Sequence, residues 1–345
     1  MRASKARLGR TGLLLAAVVW AALPVALAIG SAFAAGDANA DSGTFLTWSV
    51  KHPMPRPGFA LELVANAGKI YALGGTGGLA QNVEYDPNTD TWTEKAPMPT
   101  GRFSLSAVAS QGVVYAIGGN GGGVTALDVV EAYDPVGDTW ATVAHLQVAR
   151  RSAPAVAGPD GRLCVFGGQD AAGNLLTSVE EYAPEQNAWT LRTTMPVARA
   201  GFGAALAPDG LIYLIGGRVG GNPVDTVDVY DPTENTWATG TPMTECQFNN
   251  KAVVLDDGRI YVLGIGLAKG GQAVSVYDPG SDAWSALSYE RPTARDAFGA
   301  AAIGRRVYAV GGYSGGGLLP MTPLDVLEVG LLPYPVYLPL AVAGS

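Results

Sequence analysis

The 345 residues could form one large domain or two ordinary ones, and their make-up is lopsided: 47 glycines, 15% charged residues and a net charge of −8. Abundant glycine without a collagen period, few charges and no dominance of strong helix formers exclude collagen-like and disordered chains and favour a turn-rich β architecture. The acidic balance speaks against nucleic acid as a partner.

The first element in the chain is a leader. Arg2, Lys5, Arg7 and Arg10 precede an apolar run from Leu13 to Ala35, with small-residue exits at Ala32-Phe33-Ala34 and Ala38-Asn39-Ala40. That is the pattern of a secretory signal peptide, expected over residues 1–34 and followed by a linker over 35–44. The run is also long enough to span a bilayer, so a retained N-terminal anchor is the competing expectation, weakened by Pro24. On either reading the remainder is secreted or displayed at the cell surface. An oxidising compartment would permit Cys164 and Cys246 to pair. Cys164, in the apolar run "RLCVFGG", reads instead as a small buried hydrophobe.

The elements that follow repeat. "FLTWSVKHPMPR" carries Trp48, "IYALGG" ends at Gly74-Gly75, and "VEYDPNTDTW" sets Tyr85 and Trp92 seven residues apart around a polar turn. The same order returns with Gly118-Gly119, Tyr133 and Trp140, and then with Gly167-Gly168, Tyr182 and Trp189. It returns again with Gly216-Gly217, Tyr230 and Trp237, with Gly264, Tyr277 and Trp284, and finally with Gly311-Gly312. Within a period, four short apolar runs are separated by tight-turn signals such as Pro208-Asp209-Gly210, so one period is a four-stranded antiparallel meander. Such a unit has two apolar faces and must stack on neighbours to be stable.

Glycine doublet, Tyr, Trp and a "PMxxxR" corner together resemble the kelch family over residues 45–330. The resemblance implies an all-β, six-bladed β-propeller of four-stranded antiparallel blades around a central channel. The last glycine signal has no Tyr-to-Trp turn behind it, whereas Trp48 stands ahead of the first doublet with no blade of its own. The strand around Phe45 to Val50 is therefore expected to pair with the one around Asp325 to Val329, closing the ring and removing a free edge.

In a propeller the d–a corners and b–c loops share one face. The corners bring Arg56, Arg102, Arg150, Arg151, Arg199 and Arg295 to matching positions, with Gln247 in the remaining slot. Such a ring suits a carboxylate or acidic peptide, bound by forked, charge-assisted hydrogen bonds. The kelch substrate adaptors that the chain resembles use corner arginines in this way. The same residues also fit a structural role, tying blades together through backbone carbonyls. The resulting expectation is an interaction module for an unidentified protein, peptide or glycan, with no assigned reaction.

The alternative is an enzyme resembling the exported N-acetylneuraminate epimerase, itself a six-bladed kelch propeller. It would use a loop carboxylate such as Asp170, Glu245, Glu290 or Asp296 beside the arginines. His52 and His145 form no metal-binding spacing, so no metal or cofactor is expected, and galactose-oxidase chemistry lacks its histidines. A calcium loop at Asp86, Asn88 and Asp90 is disfavoured because equivalent slots, such as Val136 and Ala183, do not keep the ligand set. The apolar tail over 331–345 is too short to span a membrane.

Overall fold

The computed structural model describes residues 46–331 apart from 124, 267–272, 286–288, 315–321 and 324–326. The leader, the linker and nearly all of the tail lie outside these residues. Within them the chain forms six antiparallel blades of four strands, the fifth of them extended by the short strand Tyr289–Glu290 paired to its strand c. Blade 1 comprises strands a to d at Glu62–Asn66, Lys69–Leu73, Asn82–Asp86 and Thr91–Glu94. Blade 2 comprises Ser106–Ser110, Val113–Ile117, Val130–Asp134 and Thr139–Thr142. Blade 3 comprises Ala155–Ala157, Leu163–Phe166, Val179–Ala183 and Ala188–Leu191. Blade 4 comprises Gly203–Leu206, Ile212–Ile215, Val227–Asp231 and Thr236–Gly240. Blade 5 comprises Gln247–Val254, Ile260–Gly266, Ala273–Asp278 and Ala283–Trp284.

Blade 6 takes Gly299–Ile303, Arg306–Val310 and Leu327–Leu331 from the end of the chain and Thr47–Lys51 from its start. Trp48 pairs with Gly330 and Ser49 with Val329. The expected closure is present between Thr47–Lys51 and Leu327–Leu331, and Phe45 and Asp325 lie outside the described residues. The a strands neighbour one another in a closed circle, from blade 1 through blade 6 and back to blade 1. They are the innermost strands and line a central channel.

The recurring aromatics explain why neighbouring blades stay together. Tyr85 lies directly across the sheet from Trp92, and the four later pairs repeat this register. Their ring centres are 4.8 to 5.1 Å apart, a contact contributing about 0.5–1.5 kcal/mol per pair beyond burial. Each tryptophan reaches backwards as well. The Nε1 atoms of Trp92, Trp140, Trp189, Trp237 and Trp284 donate to the carbonyls of His52, Ala96, Ala144, Thr193 and Thr241.

The amide of each of those same five residues donates to an Oδ1 in the next c–d turn, on Asp90, Asp138, Asn187, Asn235 and Asp282. That oxygen also accepts from the blade's tyrosine hydroxyl. One residue of the preceding blade is thus clamped at both its N–H and its C=O, so neither main-chain group is stranded at the junction. The turn that could have been read as a calcium loop is this clamp. Asp86 caps the amide of Asn88 and pairs with Lys69 at 2.5 Å, and Asp90 is engaged by Tyr85 and His52. Cys164 is buried and Cys246 half-buried, and both are free thiols; burial, then Glu181, pushes the Cys164 thiol up to about 12.

Candidate functional site

Strand polarity puts the starts of strands a and c and the ends of strands b and d on one face, where the corners and the glycine doublets meet. The doublet turns back with both glycines at positive φ. At Gly118 (φ +56°) an added Cβ would lie 2.5 Å from the Arg150 carbonyl, so only glycine fits. The second glycine's N–H donates to the corner carbonyl of the next blade: Gly75 to Arg102, Gly119 to Arg150, Gly168 to Arg199, Gly217 to Gln247 and Gly312 to Gly58. This bond defines the corner slot. In blade 1 its occupant is Gly58, and Arg56 lies outside the series. Arg56 is exposed and pairs with Glu94 at 2.9 Å.

The true corner side chains are sealed in. Arg102, Arg150, Arg199, Arg295 and Gln247 are at most 1% exposed. Arg102 donates to the carbonyls of Val129 and Ala116 and pairs with Glu131 at 2.7 Å. Arg150 donates to the carbonyls of Gly167 and Ser178, to Ser178 Oγ and to Glu180. Arg199 meets the Leu214 carbonyl, Thr226 Oγ1 and Asp228. Arg295 donates to the carbonyls of Ala309 and Gly311. Every one of these acceptors belongs to the arginine's own blade, so the side chain ties strands b and c together rather than joining neighbours.

Burial lowers the proton affinity of Arg102, Arg150 and Arg199, and the facing carboxylates oppose that shift. These guanidiniums are not donors on offer to a ligand, which corrects their sequence-based reading as an exposed ring. The partner slot on strand c varies with the corner. It holds Glu131, Glu180 and Asp228 opposite arginines, Ser275 opposite Gln247, to which it is bonded at 2.8 Å, and Val83 in the blade of Gly58.

What the face does present is a rim one residue further on. Phe59, Phe103, Arg151, Ala200, Phe248 and Asp296 pair through the main chain with Thr76, Asn120, Gln169, Arg218, Ile265 and Tyr313. Phe59, Phe103, Arg151, Phe248 and Tyr313 are half-buried and Arg218 is exposed. The Arg218 guanidinium lies 3.7 Å from the centre of the Phe248 ring, and Phe59 meets Tyr313 edge-on at 5.1 Å. Tyr313 donates to Asp296 at 2.8 Å; burial first, then that bond, pushes its hydroxyl up to about 12. Of the anticipated arginines, Arg151 alone belongs to this rim. The sequence reading missed Arg218, although its place directly after a glycine doublet marked it.

Just inside the rim, Ala60, Ser104, Ser152, Gly201, Asn249 and Ala297 hold equivalent positions, all with φ between +49° and +63°. Their backbones form an incomplete circuit: Ala60 N donates to Ala297 O, Ser104 N to Ala60 O, Ser152 N to Ser104 O, and Gly201 N to Ser152 O, while Gly201 O accepts from Asn250 N. Below them lies a cavity of about 290 Å³ lined by the a strands. Of the carboxylates proposed beside the arginines, Asp170, Glu245 and Asp296 do not line it. Asp170 caps its own loop through Ala172 and Asn174, and Asp296 serves Asn249, Tyr313 and the Ala297 amide. Glu245 is half-buried at the corner of blade 5, and the side chain of Glu290 lies outside the described residues.

Residues 141–312 match the model of the KLHDC2/KLHL20/DRC7 Kelch-repeats domain, and residues 101–147 match that of the Kelch motif. No curated protein matches the chain. Among solved structures, the chain is similar to that of YjhT, with a TM-score of 0.70 and 16% identity, over 82% of this chain and 97% of that one. At that identity the likeness is one of fold.

Proposed function

For a chain that is a kelch-repeat β-propeller, we propose the role of an exported binding module that captures a protein, peptide or glycan on its corner and b–c loop face. The observation that carries the reading is the rim, above all the exposed Arg218 guanidinium lying on Phe248. Half-exposed aromatics beside guanidinium groups supply apolar contact area and forked donors together, the combination that binding hot spots favour. Among the described residues of the rim and its corner, Arg151, Arg218 and Arg56 are cations a partner could reach, and they suit anionic groups. The b–c loops that frame the rim differ in length and sequence from blade to blade, as binding loops on a rigid scaffold do.

The test is a screen of peptide and glycan arrays with the wild type, followed by affinity measurements on Arg218→Ala and Phe248→Ala. Each variant should weaken the ligands found by at least about tenfold, or roughly 1.4 kcal/mol. Ligands whose affinity is untouched by both substitutions would place the binding surface elsewhere.

A further inference from the structure

In a repeat fold, departures from the repeat stand out. The residue of each a strand, or in blade 3 just ahead of it, that faces the residue before the glycine signal is Glu62, Ser106, Pro154, Gly203, Lys251 or Gly299. Four of the six are small or neutral. The other two are an acid in blade 1 and a base in blade 5, and Lys251 Nζ donates to Glu62 Oε2 past blade 6, which lies between them. Blade 6 places no side chain at this position: at Gly299 an added Cβ would stand 2.7 Å from Leu63 Cγ of blade 1.

Two further irregularities occur at the same junction. The register of blade 5 shifts between Phe248 and Lys251, a bulge of the kind that re-aims a side chain. The main-chain circuit is also altered. Ala297 N bonds to the carboxylate of Asp296, and Asn249 Nδ2 donates to that same carboxylate at 2.8 Å.

Of the described residues lining the cavity, Glu62 and Lys251 alone carry charge. Their side chains are 14% and 24% exposed. Closing the ring does not require them, because the paired termini and the aromatic clamps already do that. Desolvating an ion pair is costly, and the other four blades do without one.

We propose that the central channel is a binding site for a small zwitterion of the α-amino acid class, its carboxylate held by Lys251 and its ammonium by Glu62. The two side chains part to admit the ligand, and each exchanges its partner for a like-charged group on the ligand. A net-neutral ligand with both poles leaves no buried charge alone. A simple anion would strand Glu62, and a simple cation would strand Lys251. Burial raises the Glu62 carboxyl against the pull of Lys251, so this carboxylate needs a cation beside it, which the ligand's ammonium supplies when Lys251 turns away. Ser104, Ser152 and Asn249 offer polar groups around the mouth, and about 290 Å³ suits a small molecule.

The full chain is titrated by calorimetry and thermal shift with each proteinogenic amino acid, and with acetate and methylammonium as one-pole controls. At least one amino acid should bind, with both controls at least about tenfold weaker. Lys251→Met and Glu62→Gln should each weaken it by at least about tenfold, whereas Arg218→Ala and Phe248→Ala leave it unchanged. Failure of the rim reading is thereby separated from failure of this one. In the wild type the bound amino acid should also slow reductive methylation of Lys251 relative to the other lysines in the same sample, which corrects for reagent consumed by the free amino acid's own amine, and this readout survives if a variant fails to fold. Three results each overturn the proposal: no amino acid bound at about 10 mM, acetate bound as tightly as any, or affinity indifferent to both channel substitutions.

Discussion

The buried corner pairs allow a quantitative test, because the chain itself carries a neutral version of the same slot. Arg102 and Glu131 meet at 2.7 Å with side-chain exposures of 0% and 1%. In blade 1 the corresponding residues are Gly58 and Val83. Glu131→Val leaves a guanidinium in the interior with only the Val129 and Ala116 carbonyls as acceptors. Arg102→Met leaves a carboxylate with the Thr100 hydroxyl as its remaining donor. Each single change breaks a buried ion pair and should cost about 3–5 kcal/mol.

The double variant removes both charges; the Val129 carbonyl keeps the Gly118 amide as donor, and the Ala116 carbonyl and the Thr100 hydroxyl each lose one partner. Unsatisfied groups of this kind cost about 1–3 kcal/mol each at most. Its total cost should therefore match that of either single variant rather than their sum. Urea unfolding followed by tryptophan fluorescence gives the three midpoints. If the single costs simply add in the double variant, the pair is not coupled and the account of the corner as a charge-matched tie is wrong.

Four other outcomes are expected. Trp92→Ala should lower stability by about 2–3 kcal/mol, since it loses half-buried aromatic surface and the bond to His52 across the closing junction; denaturant midpoints check this, and binding by folded protein should be unchanged. Ala297→Gly should raise the melting temperature, because φ of +49° strains alanine and relief is worth up to about 1 kcal/mol. Deleting the chain through residue 52 removes Thr47–Lys51 and bares the edge of Leu327–Leu331, so size-exclusion chromatography should show aggregate rather than monomer. Asp90, Asp138 and Asp282 are held below the ordinary carboxylate range, the first two chiefly by their tyrosine hydroxyls and Asp282 chiefly by the Thr241 amide. A depressed folded value gives stability that is present above the unfolded value near ~3.9 and is lost as pH falls through the folded value. Replacing all three by Asn, the residue already used at 187 and 235, should flatten the melting-temperature loss in acid; an unaltered acid slope would refute this role.

The fold was legible because its determinants are local and repeated. A tyrosine and tryptophan seven residues apart must face each other across a c–d hairpin, and a tryptophan left over at one end must complete a blade begun at the other. The corner arginines were legible as a series but not in their orientation, because a guanidinium at a loop corner can turn outward to solvent or inward to carbonyls. The information that decides between these was spread over two strands. Glu131, Glu180 and Asp228 lie on strand c, some thirty residues after their arginines, and nothing near Arg102 announces them. Arg56 could have been set aside from spacing alone. Arg102, Arg150 and Arg295 precede their glycine signals by sixteen or seventeen residues, whereas Arg56 precedes Gly74 by eighteen, and Val83 stands where the acid should be.

What the repeat conceals is equally physical. Six copies of one unit impose the same answer at every corner, so the residues that hold the ring together occur in series: glycine doublets, clamped turns, buried arginines with their acids. A site for a ligand without sixfold symmetry must break the series. The breaks at the inner end of the fold concentrate where blades 5, 6 and 1 meet, with Gln247 in place of arginine, a bulge before Lys251, Asp296 drawn onto Asn249, and a lone Lys251–Glu62 pair spanning the channel. Arg218, from blade 4, lies on Phe248 at the rim, beside that sector and outside the channel. Each of these departures looks like an ordinary substitution when read along the chain. They become one place only when the ring is closed, because Glu62 and Lys251 are separated by most of the sequence and brought together by the strand that the N-terminus lends to blade 6.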